Sequence, residues 1–136
     1  MKALPTAIFA KMTSSTTLYT DIGGRLYYGE APEGAEYPYV VFNDFTSLPE
    51  YPGTKTIEKI YYDFNIFSSA VGRTEIEDIL THLRSLYDDC TLTVSGYTLI
   101  YFIRETVQKM REDHTTPAGT IGVWHYSQEY SIQIVK

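Results

Sequence analysis

The sequence of 136 residues contains one cysteine, Cys90, and no long apolar run. A single cysteine excludes an internal disulfide and a cysteine-rich zinc site, as is typical of proteins from a reducing compartment. We expect Cys90 to pack as a small side chain after a helix, since no cation is fixed near it in sequence to make it reactive. A membrane span needs about 18 consecutive apolar residues. We therefore expect a soluble intracellular protein with no membrane contact.

Basic residues are also scarce. There are 11 Lys and Arg against 17 Asp and Glu, a net charge of −6, and no window collects more than scattered cations. A duplex-DNA binder needs a basic face to displace counterions from the phosphates. The balance argues against such a binder, although it allows DNA to pass nearby without sticking.

Catalytic and metal-binding motifs are missing as well. No HExxH, GxSxG or Walker pattern occurs. Asp78 and His82 are one helical turn apart, and pairs at this spacing usually lie on the helix surface without a catalytic role. We expect His114 to lie in a solvated loop and His125 on the strand face opposite its two neighbours. We assign no catalytic, cofactor-binding or metal residue, and a structural or binding role is favoured over an enzyme.

The residue that is abundant is tyrosine, with 13 copies in a chain that is 43% hydrophobic. Tyrosine buries its ring while keeping a polar tip, which suits both strands and wet protein interfaces. The count therefore fits either a β-rich protein or an interaction protein. At this length and hydrophobicity we expect residues 1–136 to form a single domain with one core.

Hydrophobic periodicity predicts two helices. Residues 3–14 place apolar side chains at helical spacing, with Pro5 tolerable in the first turn. Residues 70–87 place a longer stripe on one face and acidic residues opposite. The two stripes consist of Leu4, Ile8, Phe9 and Met12, and of Ile76, Ile79, Leu80, Leu83, Leu86 and Tyr87.

Strands are predicted at residues 39–45, 56–68, 97–109 and 119–135. The second has the alternation of a strand with one buried face, in which Ile60, Tyr62, Phe64 and Ile66 alternate with Lys59, Tyr61, Asp63 and Asn65. In the third, Tyr97, Leu99, Tyr101 and Ile103 share a face. In the last, the apolar residues stand at odd positions up to Val123 and at even positions from Trp124 onwards. Either a bulge lies near Trp124 or both faces of the sheet are covered there. The order predicts an α+β fold, a mostly antiparallel sheet of four to five strands with two helices packed on one face.

Residues 16–38 are punctuated by glycine and proline too often for regular structure, except for a short extended piece at residues 25–28. The segment from Gly23 to Phe42, GGRLYYGEAPEGAEYPYVVF, closely resembles one that recurs in small tail-completion proteins of long-tailed phages and prophages. The similarity in layout covers nearly the whole chain. The matching positions are Gly24, Arg25, Tyr27, Gly29, Ala31, Pro32, Gly34, Pro38, Tyr39, Val40 and Val41.

The resemblance implies a tail terminator or head-to-tail joining protein, similar in fold to the lambda-type tail terminator. Such proteins form a hexameric ring on the tail tube, contact the head connector or stopper, and let DNA pass through the lumen. The implied partners are thus the chain itself, the tail-tube protein and the connector. The implied location is the head-proximal end of the virion tail, after assembly in the host cytoplasm. The family offers no catalytic residue and no cofactor.

We expect two regions, residues 44–56 and 108–118, to be axial contact loops that become ordered on assembly. The candidate interface residues are Arg25, Tyr27, Tyr28, Pro49, Tyr51, Lys109, Arg111, Glu112 and Asp113. Arg25 has two open interpretations: its side chain forms a salt bridge that fixes the glycine- and proline-rich segment before the first core strand, or it is solvated. Two rival classes stay open, a head-completion or connector-stopper protein and, more remotely, a small α+β ligand-binding domain or enzyme with a deep polar pocket.

Overall fold

The computed structural model describes residues 2–14, 16–51, 53 and 55–136. A mixed sheet of five strands in the order β1-β2-β3-β5-β4 carries three helices, which confirms the α+β, mostly antiparallel fold. Only β1 and β2 pair in parallel. The elements are α1 (Ala3–Met12), α2 (Thr17–Asp21), β1 (Leu26–Tyr28), β2 (Tyr39–Glu50), β3 (Ile57–Ser68), α3 (Thr74–Tyr87), β4 (Thr98–Thr116) and β5 (Gly119–Val135).

The expected two helices are present, and the sequence interpretation missed the short α2. Its N-cap is Thr16, whose hydroxyl accepts a hydrogen bond from the Tyr19 backbone N–H at 3.2 Å. Five residues are too few to show a helical period, and only Leu18 among them is buried. In α1, the prediction that Phe9 belongs to the buried stripe was wrong, because its side chain is 42% exposed.

Two predicted loops are strands over most of their length. Residues 44–50 continue β2, and residues 108–116 continue β4 up to a tight turn at Pro117 and Ala118. Their polar side chains stand on exposed strand faces, so polarity alone did not distinguish a loop from an edge strand. The expectation that residues 44–56 and 108–118 are loops is thus wrong for most of both ranges, while their axial contacts and ordering on assembly stay predictions. Residues 52 and 54 of the first range lie outside the described residues.

A bulge in β4 changes which side chains face the core. The register shifts between Leu99 and Tyr101, so that Leu99 and Phe102 share the core side. The prediction that Tyr101 and Ile103 share a face with Leu99 is therefore wrong, and Ile103 is 46% exposed. A second irregularity lies between Arg104 and Val107.

The core lies between the helices and one sheet face, here called the inner face. Four buried rings pack together at its centre, with Tyr87 stacked on Phe102 and the other pairs tilted or edge-to-face; they belong to Phe64, Tyr87, Phe102 and Tyr130. The Tyr87 hydroxyl donates to the Ile8 carbonyl at 2.7 Å, which ties α3 to α1. Burial of such rings supplies most of the driving force for folding.

The opposite, outer face carries no helix but is covered in one half. Val123 is fully buried there, and the β5 register with β4 runs through residue 124 without a shift, while the pairing with β3 ends at that residue. The change from odd to even apolar positions near Trp124 therefore reflects coverage of both faces and not a bulge. His125 lies on the outer face, opposite Trp124 and Tyr126, as expected.

We expect Tyr87→Phe to lower the free energy of unfolding by about 1 kcal/mol, because it removes one buried hydrogen bond and leaves the ring stack intact. Urea denaturation followed by circular dichroism measures the change. Tyr51→Phe is the matched control, since the Tyr51 side chain is 74% exposed and its loss of a hydroxyl has no expected effect. Equal stability of both variants would show that the link between α3 and α1 contributes nothing.

Candidate functional site: the hairpin arm and the open sheet edges

The β4–β5 hairpin extends beyond the rest of the sheet. The last pair between β3 and β5 is Ser68 with Trp124, whereas β4 and β5 stay paired as far as Thr116 and Gly119. We call residues 112–123 the arm. Its five residues beyond Trp124 on β5 span about 17 Å at the usual strand rise. A two-stranded ribbon of this kind is marginal unless other elements hold it.

The outer face of the arm is held by a network around Glu112. One carboxylate oxygen lies 3.1 Å from His114 Nε2 and the other lies 3.0 Å from His125 Nδ1. His114 Nδ1 is 2.7 Å from the Tyr37 hydroxyl, and His125 Nε2 is 2.8 Å from Asn65 Oδ1. The arm is thereby connected to β3 and to the loop before β2.

Electrostatics favour the ionised form of Glu112. Partial burial alone would raise the pKa of its carboxyl, but the hydrogen bonds from His125 and His114 outweigh burial and hold the pKa below its ordinary value. His125 also stacks on Phe67, with 4.3 Å between ring centroids. These contacts give the carboxylate a structural role in positioning the arm.

The inner face at the base of the arm carries cations on aromatic rings. The guanidinium carbons of Arg73 and Arg111 lie 5.1 and 5.2 Å from the centre of the Trp124 ring. Arg73 Nε also donates to the Tyr126 hydroxyl at 2.7 Å. Gly122 leaves the space for Arg111, because a Cβ there would lie 2.3 Å from the guanidinium nitrogen.

Lys109 belongs to the same face. Its ammonium donates to Glu77 at 3.0 Å and lies 5.0 Å from the centre of the Tyr126 ring. Asp113 is exposed on the arm and pairs with Gly122. Four of the nine candidate interface residues, Lys109, Arg111, Glu112 and Asp113, thus belong to the arm and its base, on two opposite faces.

The opening loop, residues 29–38, runs along the outer face to the arm. Arg25 secures its end, since Nε donates to the Pro38 carbonyl at 2.9 Å and Nη2 to the Tyr37 carbonyl at 3.4 Å. The expected salt bridge exists with Glu36 at 3.9 Å, but Glu36 is 84% exposed and the pair contributes little. Hydrogen bonds to the backbone, which the sequence did not reveal, are the main role of Arg25.

The remaining candidates are spread over other surfaces. Tyr27 packs edge-on against Tyr39 on the outer face, and Tyr28 points to the inner side, where its hydroxyl donates to Asp44 at 3.1 Å. Pro49 and Tyr51 lie near the β2–β3 hairpin tip, at the end of the sheet opposite the arm. The nine residues therefore do not form one site.

His82 and Cys90, whose side chains could in principle act in catalysis or metal binding, have structural roles. His82 bonds to Asp21 rather than to Asp78, and so links α3 to α2. Burial raises the pKa of the Cys90 thiol to about 11, which fits the expected packing role. No group of three His, Cys, Asp or Glu suited to a metal ion occurs within residues 2–14, 16–51, 53 and 55–136. Across the same residues no helix is long and apolar enough to cross a bilayer.

An open cavity of about 530 Å³ lies between α1 and the β1–β2 edge. Its lining is mainly apolar and aromatic, from Pro5, Phe9, Tyr28 and Phe42, with Lys2 and Thr6 at its rim. A ligand site of the usual kind adds several converging polar groups to such a lining. A second cavity of about 500 Å³ lies between the loop after α3 and the start of β4, with Thr91, Thr93, Thr98 and Tyr101 in its lining.

The two sheet edges are open only in part. β1 covers β2 at residues 40–42, and the described residues 43–50 have no strand beyond them. On the far side of β4, the loop after α3 approaches the strand, and the Asp89 N–H donates to the Phe102 carbonyl at 2.9 Å. Phe45 and Leu48 on the β2 edge are 51% and 49% exposed, and Ile100 and Ile103 on the β4 edge are 47% and 46% exposed. Sequence reasoning missed these four, because the bulges that turn them outward are not visible in the hydrophobic pattern.

Comparisons with known proteins agree on the fold and the family. The model of the family described as Tail completion protein gp17 matches residues 6–132. A chain from the virion of a native gene transfer agent (GTA) particle superposes with a TM-score of 0.84 at 13% identity, over 99% of this chain and 96% of that one. A second solved chain gives a TM-score of 0.57 at 11% identity, over 96% and 94%. No curated protein matches the sequence.

We expect Glu112→Gln to destabilise the protein by about 1 kcal/mol at pH 7, because a neutral amide makes weaker hydrogen bonds to the two imidazoles. A lowered carboxyl pKa stabilises the fold above the unfolded-state value of about 4.3 and ceases to do so as pH falls through the folded-state value. Thermal unfolding between pH 7 and pH 3 measures this, and the difference from wild type should shrink with acid. Glu30→Gln, at an exposed carboxylate, is the control; a difference that persists undiminished at pH 3 would contradict the assignment.

We expect Gly122→Ala to displace Arg111 from Trp124 and to shift the emission of this single tryptophan as Arg111→Ala does. The lost contact is worth about 0.5–1 kcal/mol. Gly72→Ala is the matched control, because a Cβ at Gly72 meets nothing within 4 Å. An emission change in Arg111→Ala without one in Gly122→Ala would show that Arg111 keeps its contact despite the added methyl group.

Proposed function

The chain belongs to the tail completion protein gp17 family, and on that premise we propose that it is a structural virion protein that completes the tail of a phage or prophage. In this role it caps the tail tube, joins the tail to the head connector and catalyses no reaction. Its partners are further copies of itself, the tail-tube protein and the connector or stopper protein, at the head-proximal end of the tail. Assembly takes place in the host cytoplasm.

The observation that carries the proposal is the family match over residues 6–132. Self-association is supported by the β2 edge, because residues 43–50 have no strand partner within the described chain and expose Phe45 and Leu48. An open edge of this kind offers a contact to another chain. Head-to-tail contacts close into a ring where the rotation between neighbours allows it, and we take the ring to be a hexamer.

The two hairpin tips supply the axial contacts of such a ring. The β2–β3 tip with Tyr51 and the turn of the arm lie at opposite ends of the sheet, so that one faces the tube and the other the head. The arm is already a paired ribbon held by Tyr37 and Arg73, and its docking does not require the ordering of a loop. DNA passes through the lumen without being held, in keeping with the net charge of −6.

Electron microscopy of particles from a phage or prophage that lacks this gene tests the function. Overlong tails are expected if the protein stops tube growth, and separate full heads with normal-length tails are expected if it acts mainly as a joining protein. The wild-type gene supplied in trans is the control and must restore intact virions. Normal virions in its absence would overturn the proposal, and heads that lose their DNA would favour the head-completion alternative instead.

A further inference from the structure

We propose that the inner face at the base of the arm binds an acidic segment of a different virion protein, whose carboxylates contact Arg111 and Lys109. The occupant is thus defined by its chemistry, a protein segment rich in Asp or Glu. The proposal rests on the proposed function, in which the arm makes an axial contact, and adds the surface and the chemistry of that contact.

The inner face of the arm is accessible between Trp124 and the turn. Side chains alternate between the two faces of a strand, so that Asp113, Thr115 and Thr120 lie on the same face as Trp124. All three are exposed, and Gly122 beside them has no side chain. These short side chains leave room for an extended segment that runs along the arm and ends at Trp124.

Hydrogen-bond donors exceed acceptors at the base of this face. Arg111 is exposed and lies over the Trp124 ring, which leaves the N–H groups at the edge of its guanidinium available. Among the residues that the structure describes, Arg111 has no carboxylate within ion-pair distance, and the buried Trp124 indole N–H has no acceptor. Carboxylate oxygens are the acceptors that pair best with a guanidinium. The face thus lacks the acceptors that an acidic segment supplies.

Cations also outnumber carboxylates here. Arg73, Lys109 and Arg111 share the face with Glu77 and Asp113, three positive charges against two negative ones. Glu77 is divided between two of the cations, at 4.0 Å from Arg73 Nη2 and 3.0 Å from Lys109 Nζ. On a chain with a net charge of −6, this local surplus of positive charge favours an acidic partner.

The carboxylates on this face favour a protein partner over DNA. Asp113 follows Arg111 on the inner face, and Glu77 adjoins Lys109. The DNA backbone carries one charge per about 1.7 Å of helix axis, so a phosphate on Arg111 would bring other phosphates close to both carboxylates. A single carboxylate contacts the guanidinium in bidentate fashion without this repulsion.

Zero-length cross-linking in particles tests the contact. A water-soluble carbodiimide joins a lysine ammonium to a carboxylate in direct contact with it, and mass spectrometry of the peptides identifies both residues. We expect Lys109 to couple to an Asp or Glu of a different virion protein. Lys109→Arg is the matched control, because it keeps the charge and removes the amine, so that this product should disappear.

The other outcomes contradict the proposal. Coupling of Lys109 only to Glu77 of its own chain, or to a carboxylate of a second copy, overturns it and leaves the tail role standing. DNA as the occupant would instead shield Lys109 from acetylation in full particles and expose it once the DNA has been ejected. Particles that do not contain the protein overturn the tail role and the proposal with it.

A charge reversal gives an independent measurement. Arg111→Glu and Arg111→Ala lose the same contact with Trp124, but only the first places a carboxylate opposite the acidic segment. In complementation of a strain that lacks the gene, we expect roughly fivefold fewer complete particles from Arg111→Glu than from Arg111→Ala. Lys59→Glu is the control for net charge, since Lys59 lies over Tyr61 outside the arm, and its yield should match wild type.

The identified carboxylate then completes the test. Its replacement by lysine in the partner protein should raise the yield from Arg111→Glu to at least the level of Arg111→Ala. Melting temperatures show whether the variants are folded. Equal yields from Arg111→Glu and Arg111→Ala, with both proteins folded, would overturn the charge contact.

Discussion

The structure depends on one constraint, that helices cover only one face of a sheet that is apolar in part on both. The inner face buries the Phe64, Tyr87, Phe102 and Tyr130 stack beneath α1 and α3. The outer face has no such layer, yet it carries Tyr39, Val41, Phe67 and Val123. Left uncovered, such an apolar face would favour association, but Tyr39, Val41 and Val123 are buried. The two halves of the face differ in what covers them.

In the half near the arm, the opening loop of the same chain covers the apolar outer face. Arg25 fixes the loop end through two backbone carbonyls, and Tyr37 then reaches His114. The imidazoles of His114 and His125 pack on Phe67, and the Glu112 carboxylate forms a hydrogen bond with each of them. The density of glycine, proline and tyrosine in this segment thus serves to close the outer face and hold the arm.

The fold class and the main elements could be predicted from the sequence, because α3 and β3 have strong periods and turn residues mark their ends. What could not be predicted depends on pairing across the sheet. Polar residues 108–116 form a strand because β5 lies beside them, and a buried Gln128 amide donates to the Glu105 and Thr106 carbonyls where β4 is irregular. The single-residue shift at Ile100 exchanges the faces of Tyr101 and Phe102, and no local pattern encodes it. The candidate interface residues were taken from the segment before β2 and from two predicted contact loops, whereas the exposed apolar residues at the edges were missed because the bulges are not visible in the sequence.

In the other half, near the β2–β3 tip, Phe45 and Leu48 lie on the outer side of β2 and are about half exposed. They belong to the β2 edge at residues 43–50, which has no strand partner within the described chain. An open edge that carries exposed apolar side chains favours contact with another chain. The far side of β4 differs, because the loop after α3 approaches it and the Asp89 N–H donates to the Phe102 carbonyl at 2.9 Å. The chain thus covers part of one edge with its own backbone and leaves the β2 edge unpaired.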